Sequence, residues 1–279
     1  MPEFTEFRIE HGDGVITGIE RIGHGTPIIL LHGVGGNALC FKSLMTALGG
    51  RRAIALDMPG HGGSTAAPNW EMEPLAEFVF SMSRHIVKGP AIWGGHSWGG
   101  KLAAIIAATH PEAADGLLLL DPSPASGFPI PAEMFVDLTF AGELGPWPSI
   151  EDAANAVRSL PQYVNWNDDL MRAFERGLAR GADGMLRARI SRDTLIAICA
   201  ATGKDHSDTI SRVIAPTLFV VADESLAWQE ATNFGLLPNA SRAVIKSNHW
   251  LMAGSSAQLN REVAGWLATH AGESARDAT

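Results

Sequence analysis

The chain has 279 residues, 46% of them hydrophobic and 18% charged, with a net charge of −9, two cysteines and 30 glycines. That mixture excludes intrinsic disorder, the lack of a G-X-Y period excludes a collagen-like rod, and the acidic balance without a Lys/Arg stripe argues against nucleic acid as a partner. Cys40 and Cys199 are too few for a disulfide framework, no secretory signal opens the chain, and no apolar run approaches the ~18 residues of a membrane span, so a soluble cytoplasmic protein with no membrane partner is expected.

In chain order, residues 4–10 and 14–21 read as a hairpin around Gly12-Asp13-Gly14. Residues 28–31 form a short apolar strand between Pro27 and the His32-Gly33 turn, followed by a helix over 38–48 and a strand over 52–56. Leu75, Phe78, Val79, Met82 and Ile86 space a helix over 75–87. A strand at 91–93, a helix at 98–109 and a strand at 117–120 come next. Strands at 217–221 and 242–245 and a helix at 258–270 close the chain. Continuous apolar strands alternating with helices predict an α/β fold, a mostly parallel doubly wound sheet covered on both faces.

Between Asp121 and about Val213 the rhythm stops. That stretch holds Pro122, Pro124, Pro129, Pro131, Pro146 and Pro148 with helical segments and no visible βαβ unit. About ninety residues is too long for a loop. The expected division is a core of residues 1–121 and 214–279, with 122–213 as a mainly helical lid over the C-terminal edge of the sheet, where such folds place their sites. Arg172, Arg176 and Arg180 fall at helical spacing and read as one solvated helix face.

The strongest chemical signal is Gly95-His96-Ser97-Trp98-Gly99, directly after one strand and directly before a helix. Flanking glycines permit a sharp turn that lifts a serine hydroxyl above the sheet. The Trp98 amide, at the positive end of the helix, can meet an oxyanion, and Val34 in His32-Gly33-Val34-Gly35-Gly36 can supply a second amide. The plain alternative is a glycine-rich turn with an incidental serine. His249, on the loop after the last strand, is placed to act as general base; His11, His85, His110, His206 and His270 read as surface histidines. Two competing patterns overlap these loops. Gly33-x-Gly35-x-x-Ala38 with Asp57 matches a dinucleotide fingerprint but leaves Ser97 and His249 unexplained. Gly95 to Lys101 mimics a P-loop but continues with Leu102 where the Mg²⁺-ligating Ser or Thr belongs.

Together, His32-Gly33, the run from Asp57 to Ser64, the Gly95–Gly99 elbow and His249-Trp250 resemble the lid-bearing branch of the α/β-hydrolase superfamily. The resemblance covers the chain apart from the insertion. It implies Ser97 as nucleophile, His249 as base, an acid that orients the base, and no metal or cofactor. The family's usual acid position, the last of Gly-x-x-Asp after a strand, holds Ser225 in Ala222-Asp223-Glu224-Ser225. Asp121, at the end of the 117–120 strand, is the favoured acid, as in some branches of the superfamily, and Asp223 is the alternative. The substrate pocket is expected to use His32, Gly33, Trp147, Tyr163, Trp166, Trp228 and Trp250, which tilts the substrate towards an aromatic or apolar small molecule. Hydrolysis of a carboxylic ester or lactone, with small amides included, leads. C–C bond hydrolysis and cofactor-independent dioxygenation on the same fold are the rivals.

Overall fold

The computed structural model describes residues 3–254 and 256–270. One eight-stranded sheet organises the chain, built from β1 (Thr5–His11), β2 (Gly14–Arg21), β3 (His24–Leu31), β4 (Arg51–Leu56), β5 (Ala91–His96), β6 (Ala114–Leu120), β9 (Thr217–Ala222) and β10 (Ser241–Ile245). Its order is β1-β2-β4-β3-β5-β6-β9-β10; the pairs β1–β2 and β2–β4 are antiparallel and every other pair is parallel.

The central strands are apolar throughout because both faces are covered. Alternate residues go to opposite sides: Ile29, Leu31, Ile54, Leu56, Leu117 and Leu119 join one core, and Ile28, Leu30, Ala53, Ala55, Leu118 and Leu120 join the other. The first core is roofed by α2 (Met72–Ser83) and α3 (Trp98–Thr109), the second by α1 (Lys42–Ala47) and the last described helix, Ser256–His270. The sheet is thus doubly wound. The segment expected as one helix over 38–48 is a 3₁₀ turn (Ala38–Phe41) running into α1, because the Asn37 side chain caps the Leu39 amide and opens the turn early.

Between β6 and β9 the chain builds an insert of α4 (Ala132–Thr139), α5 (Ile150–Val157), α6 (Asp168–Arg176), α7 (Arg192–Thr202) and α8 (Ser207–Ile210). Ser149, Asn167 and Ser191 each cap a helix by accepting a backbone N–H, so these helices have local start signals of their own. Trp147, Ala153, Ala154, Val157, Phe174 and Leu178 form a separate small core inside it. The expectation of no strand here is corrected: β7 (Leu178–Arg180) and β8 (Leu186–Ala188) pair antiparallel. Three residues each are too few to show a period of two in the sequence.

The arginine reading is corrected as well. Helix α6 ends at Arg176, and Arg180 lies on β7, so the three do not share a helix face. Arg176 turns inward. Its Nε and Nη2 donate to the fully buried Asp57 carboxylate at 2.7–3.1 Å, and its Nη1 reaches Glu6 at 3.0 Å. Burial pushes the Asp57 carboxyl up, but hydrogen bonds from Arg176, Thr17 and the Ala38 amide outweigh it and hold the group below its ordinary range. Arg176→Met would strand this carboxylate, and we expect about 3–5 kcal/mol of lost stability in urea unfolding at pH 7. A carboxyl held low in the folded state stabilises above its unfolded pKa, about 4, and loses that contribution as pH falls through the folded value. The gap between wild type and variant should therefore narrow below about pH 4; a gap independent of pH would disprove the ion-pair account.

Lys101, on α3, is 1% exposed and donates from Nζ to the carbonyls of Pro124, Ala125, Thr202 and Lys204 at 2.8–3.1 Å. It therefore binds the start of the insert to the end of α7. His206 nearby is buried as well, contrary to the surface expectation, because the same knot of chain folds over it.

Candidate active site

Ser97 stands between β5 and α3 with φ 53° and ψ −120°, a region costly for a non-glycine residue. The flanking glycines make the turn possible. A Cβ on Gly95 would lie 2.2 Å from the Gly99 carbonyl oxygen, and one on Gly99 would lie 2.2 Å from that of Leu31. Hydrogen bonds hold the strained residue: its N–H donates to Leu120, and its carbonyl accepts from Lys101 and Ser123.

Strand β6 pairs with β5 in the register His96↔Leu120, so the residues that follow, Ser97 and Asp121, leave the sheet side by side. His249 enters from the loop after β10. Its Nε2 is 3.0 Å from Ser97 Oγ and its Nδ1 is 2.6 Å from Asp121 Oδ2. Asp121 is fully buried and also accepts from Ser225 Oγ at 2.6 Å, Gln229 Nε2 at 3.2 Å and the Ala222 amide at 3.3 Å. Asp223 is not brought to the imidazole. It is exposed, and its Oδ1 accepts from the Ser247 and Glu224 amides, at the root of the loop that carries His249.

Three contributors had no sequence signal of their own. Ser225 and Gln229 donate to Asp121, and the imidazole of His96 donates from Nε2 to the His249 carbonyl at 2.8 Å. Ser225 occupies the position where the resemblance expects the acid, and its hydroxyl now points to the carboxylate on the neighbouring strand.

The loop after β3 is fixed by two neutral histidines. His32 Nδ1 donates to the Gly33 carbonyl while Nε2 accepts from the Met58 amide; His61 Nδ1 donates to Pro59 while Nε2 accepts from the Gly35 amide. Burial lowers both pKa values, to about 3 for His32 and about 4 for His61, so both rings keep the lone pair these contacts need. Asp57, the acid of the dinucleotide fingerprint, is enclosed by Arg176, Thr17, and the Ala38 and Gly63 amides, with no face open to a ribose hydroxyl. Among the described residues, no three His, Cys, Asp or Glu side chains gather as a metal site.

Two compartments meet above the serine. The smaller, about 400 Å³, is bounded by Ser97, Trp98, Ser123 and His249 and by the apolar Phe128, Phe135 and Cys199. The larger, about 960 Å³ counting its solvent-open mouth, runs from the Gly33–Asn37 loop to Glu143, Tyr163 and Phe174 of the insert. Val34, Phe140 and Trp250 border both. Of the expected pocket residues, His32, Gly33, Tyr163 and Trp250 line the larger compartment. Trp147 and Trp166 do not line either; their rings pack on Phe174 inside the insert's own core, with Trp147 further tied by backbone bonds to Leu186. Trp228 lines neither, although its ring stands 6.3 Å from that of His249.

Residues 26–253 match the family described as alpha/beta hydrolase fold. The chain belongs to the alpha/beta hydrolase family. Its relatives include a putative non-heme haloperoxidase of Mycobacterium phage D29, 34% identical over 39% of this chain and 40% of that protein. A pimeloyl-[acyl-carrier protein] methyl ester esterase of Proteus mirabilis (strain HI4320) is 29% identical over 69% of this chain and 66% of the esterase, so the match spans less than two thirds of either relative. Among solved structures, E-2-(acetamidomethylene)succinate hydrolase superposes with a TM-score of 0.82 at 22% identity, covering 95% of this chain and 99% of that one. The thioesterase domain from the curacin biosynthetic pathway gives 0.73 at 19% identity over 93% and 99%. No described helix is long and apolar enough to cross a membrane.

Proposed function

We propose that this hydrolase cleaves a carboxylic ester or lactone of an apolar or aromatic small molecule through Ser97, His249 and Asp121. The observation that carries the reading is the hydrogen-bonded line Asp121–His249–Ser97, 2.6 and 3.0 Å long, at the junction of two largely apolar compartments. With Nδ1–H donating to Asp121, the Nε2 lone pair faces the serine hydroxyl. His249 takes that proton as Ser97 Oγ attacks the carbonyl, and Asp121 stabilises the imidazolium. The Val34 and Trp98 amides receive the oxyanion; Trp98 opens α3, where an N–H has no partner within the helix. His249 then protonates the leaving alcohol, and water, deprotonated by the same nitrogen, releases the acyl group. Residues 122–213 act as a lid on the core of 1–121 and 214–279 and supply the far wall of the larger compartment. The relatives named as ester-cleaving enzymes agree with this chemistry, and two unpaired cysteines suit a cytoplasmic protein.

Incubation with a fluorophosphonate should label Ser97 covalently, as read by intact mass, and the label should vanish in Ser97→Ala. Absence of label on the folded wild type would remove the activated nucleophile and favour the dioxygenase rival.

A further inference from the structure

The larger compartment contains a carboxyl group that the reaction does not use. Glu143 ends the short 3₁₀ turn Ala141–Glu143, three residues beyond Phe140, which borders both compartments. It lines the cleft, and its carboxylate accepts from Tyr163 Oη at 2.8 Å and from the Gln162 side-chain amide. Both donors are neutral. Among the described residues, no Lys, Arg or His pairs with this carboxylate. A carboxylate offers about four acceptor sites, so roughly two remain open in a cleft whose lining includes the apolar Leu144, Phe174 and Leu195. A desolvated anion without a counter-charge is costly, and a cation arriving with the ligand relieves that cost.

We propose that Glu143 is a specificity residue that selects substrates with a protonated amine on the portion filling the larger compartment. The inference rests on the ester-hydrolase reading for its turnover test but not for its binding test. Burial pushes the Glu143 pKa up to about 7 against the opposing hydrogen bonds, so the carboxylate forms as pH rises through neutrality and is a neutral acid below it. The other ionisable groups on the cleft do not change charge there. Burial holds His32, His61 and His96 neutral and raises the Cys40 thiol and the Tyr163 phenol, and the Arg189 side chain lies at the exposed rim. On the flanking helices α4 and α5, Asp137 pairs with Arg192, Asp152 accepts from Ser149, and Glu133 and Glu151 are exposed. Lys101, which burial brings to about 7, lies outside the cleft lining, and a ratio between two matched substrates cancels its effect.

The test compares matched esters ending in an ω-amino or an ω-methyl group, placed in turn on the acyl and the alcohol side. On one side, the amino ester should have a kcat/KM about tenfold or more above its methyl match at pH 8, as expected for a charge-assisted contact. That ratio should fall towards one by pH 6. In Glu143→Gln the ratio should be flat with pH and near one, and in Tyr163→Phe, which removes a donor to the carboxylate, its midpoint should move to higher pH. Hydrolysis of the methyl esters with no amine preference on either side, or a preference unchanged in Glu143→Gln, would overturn the proposal. Hexylammonium and 1-hexanol, titrated against tryptophan fluorescence, decide it without turnover: equal affinities at pH 8 also overturn it. Failure of the hydrolase reading looks different, with no ester cleaved and no label on Ser97.

Discussion

Ser97→Ala is expected to lower ester hydrolysis by about 10⁴-fold or more, with the fold intact. The substitution removes the only atom that forms the acyl bond, while oxyanion donors and cleft walls remain to give a residual rate. The backbone contacts that hold the turn come from the Ser97 main chain, to Leu120, Lys101 and Ser123, and alanine keeps them all. The hydroxyl has one further neighbour, Ser123 Oγ at 3.4 Å, too long to matter much to stability. Thermal unfolding should therefore move little while kcat collapses. The same variant separates the rivals by reaction class. In a dioxygenase the His249–Asp121 pair would deprotonate an aromatic substrate and the serine would only assist, so oxygen uptake would survive the loss of the hydroxyl. Ester turnover within tenfold of wild type would end the nucleophile assignment.

What the sequence disclosed, and what it hid, follows from the range of each signal. The core strands were legible because burial on both faces writes an uninterrupted apolar run, as in the four leucines of 117–120. The elbow was legible because Gly95 and Gly99 are forced by backbone atoms only four residues apart or on the adjacent strand. Long-range partnerships were not. The spacing of Arg176 looked like a solvated face, and only the fold brings Asp57, 119 positions earlier, beneath it. Lys101 resembled a failed phosphate-binding lysine, although its ammonium is enclosed by four carbonyls from both ends of the insert. The aromatics of the insert carry no local mark that separates a residue facing a cleft, such as Tyr163, from one facing a neighbouring helix, such as Trp147 or Trp166.

Asp121→Asn should reduce kcat by about 10³–10⁴-fold, whereas Asp223→Asn should stay within about tenfold of wild type. The asymmetry comes from counting donors. Asp121 Oδ1 receives the Ala222 amide and the Gln229 side chain; Oδ2 receives Ser225 Oγ and His249 Nδ1. An asparagine satisfies Oδ1 only by keeping its carbonyl there, since the opposite orientation would set its NH₂ against two donors that cannot accept. The NH₂ then replaces Oδ2. The Ser225 hydroxyl can rotate to accept from it, but the imidazole can accept only by giving up the Nδ1 proton. The remaining proton moves to Nε2, facing Ser97, and the base loses the lone pair it needs. Asp223 has no such constraint: its Oδ1 accepts from Ser247 and Glu224, and an asparagine oxygen in the same place accepts from both. Steady-state kinetics of the two variants on one ester, with pH profiles of kcat, would measure the difference. A crippled Asp223→Asn beside a near-normal Asp121→Asn would transfer the acid role to the turn after β9 and leave the 2.6 Å contact of Asp121 to His249 as a structural bond alone.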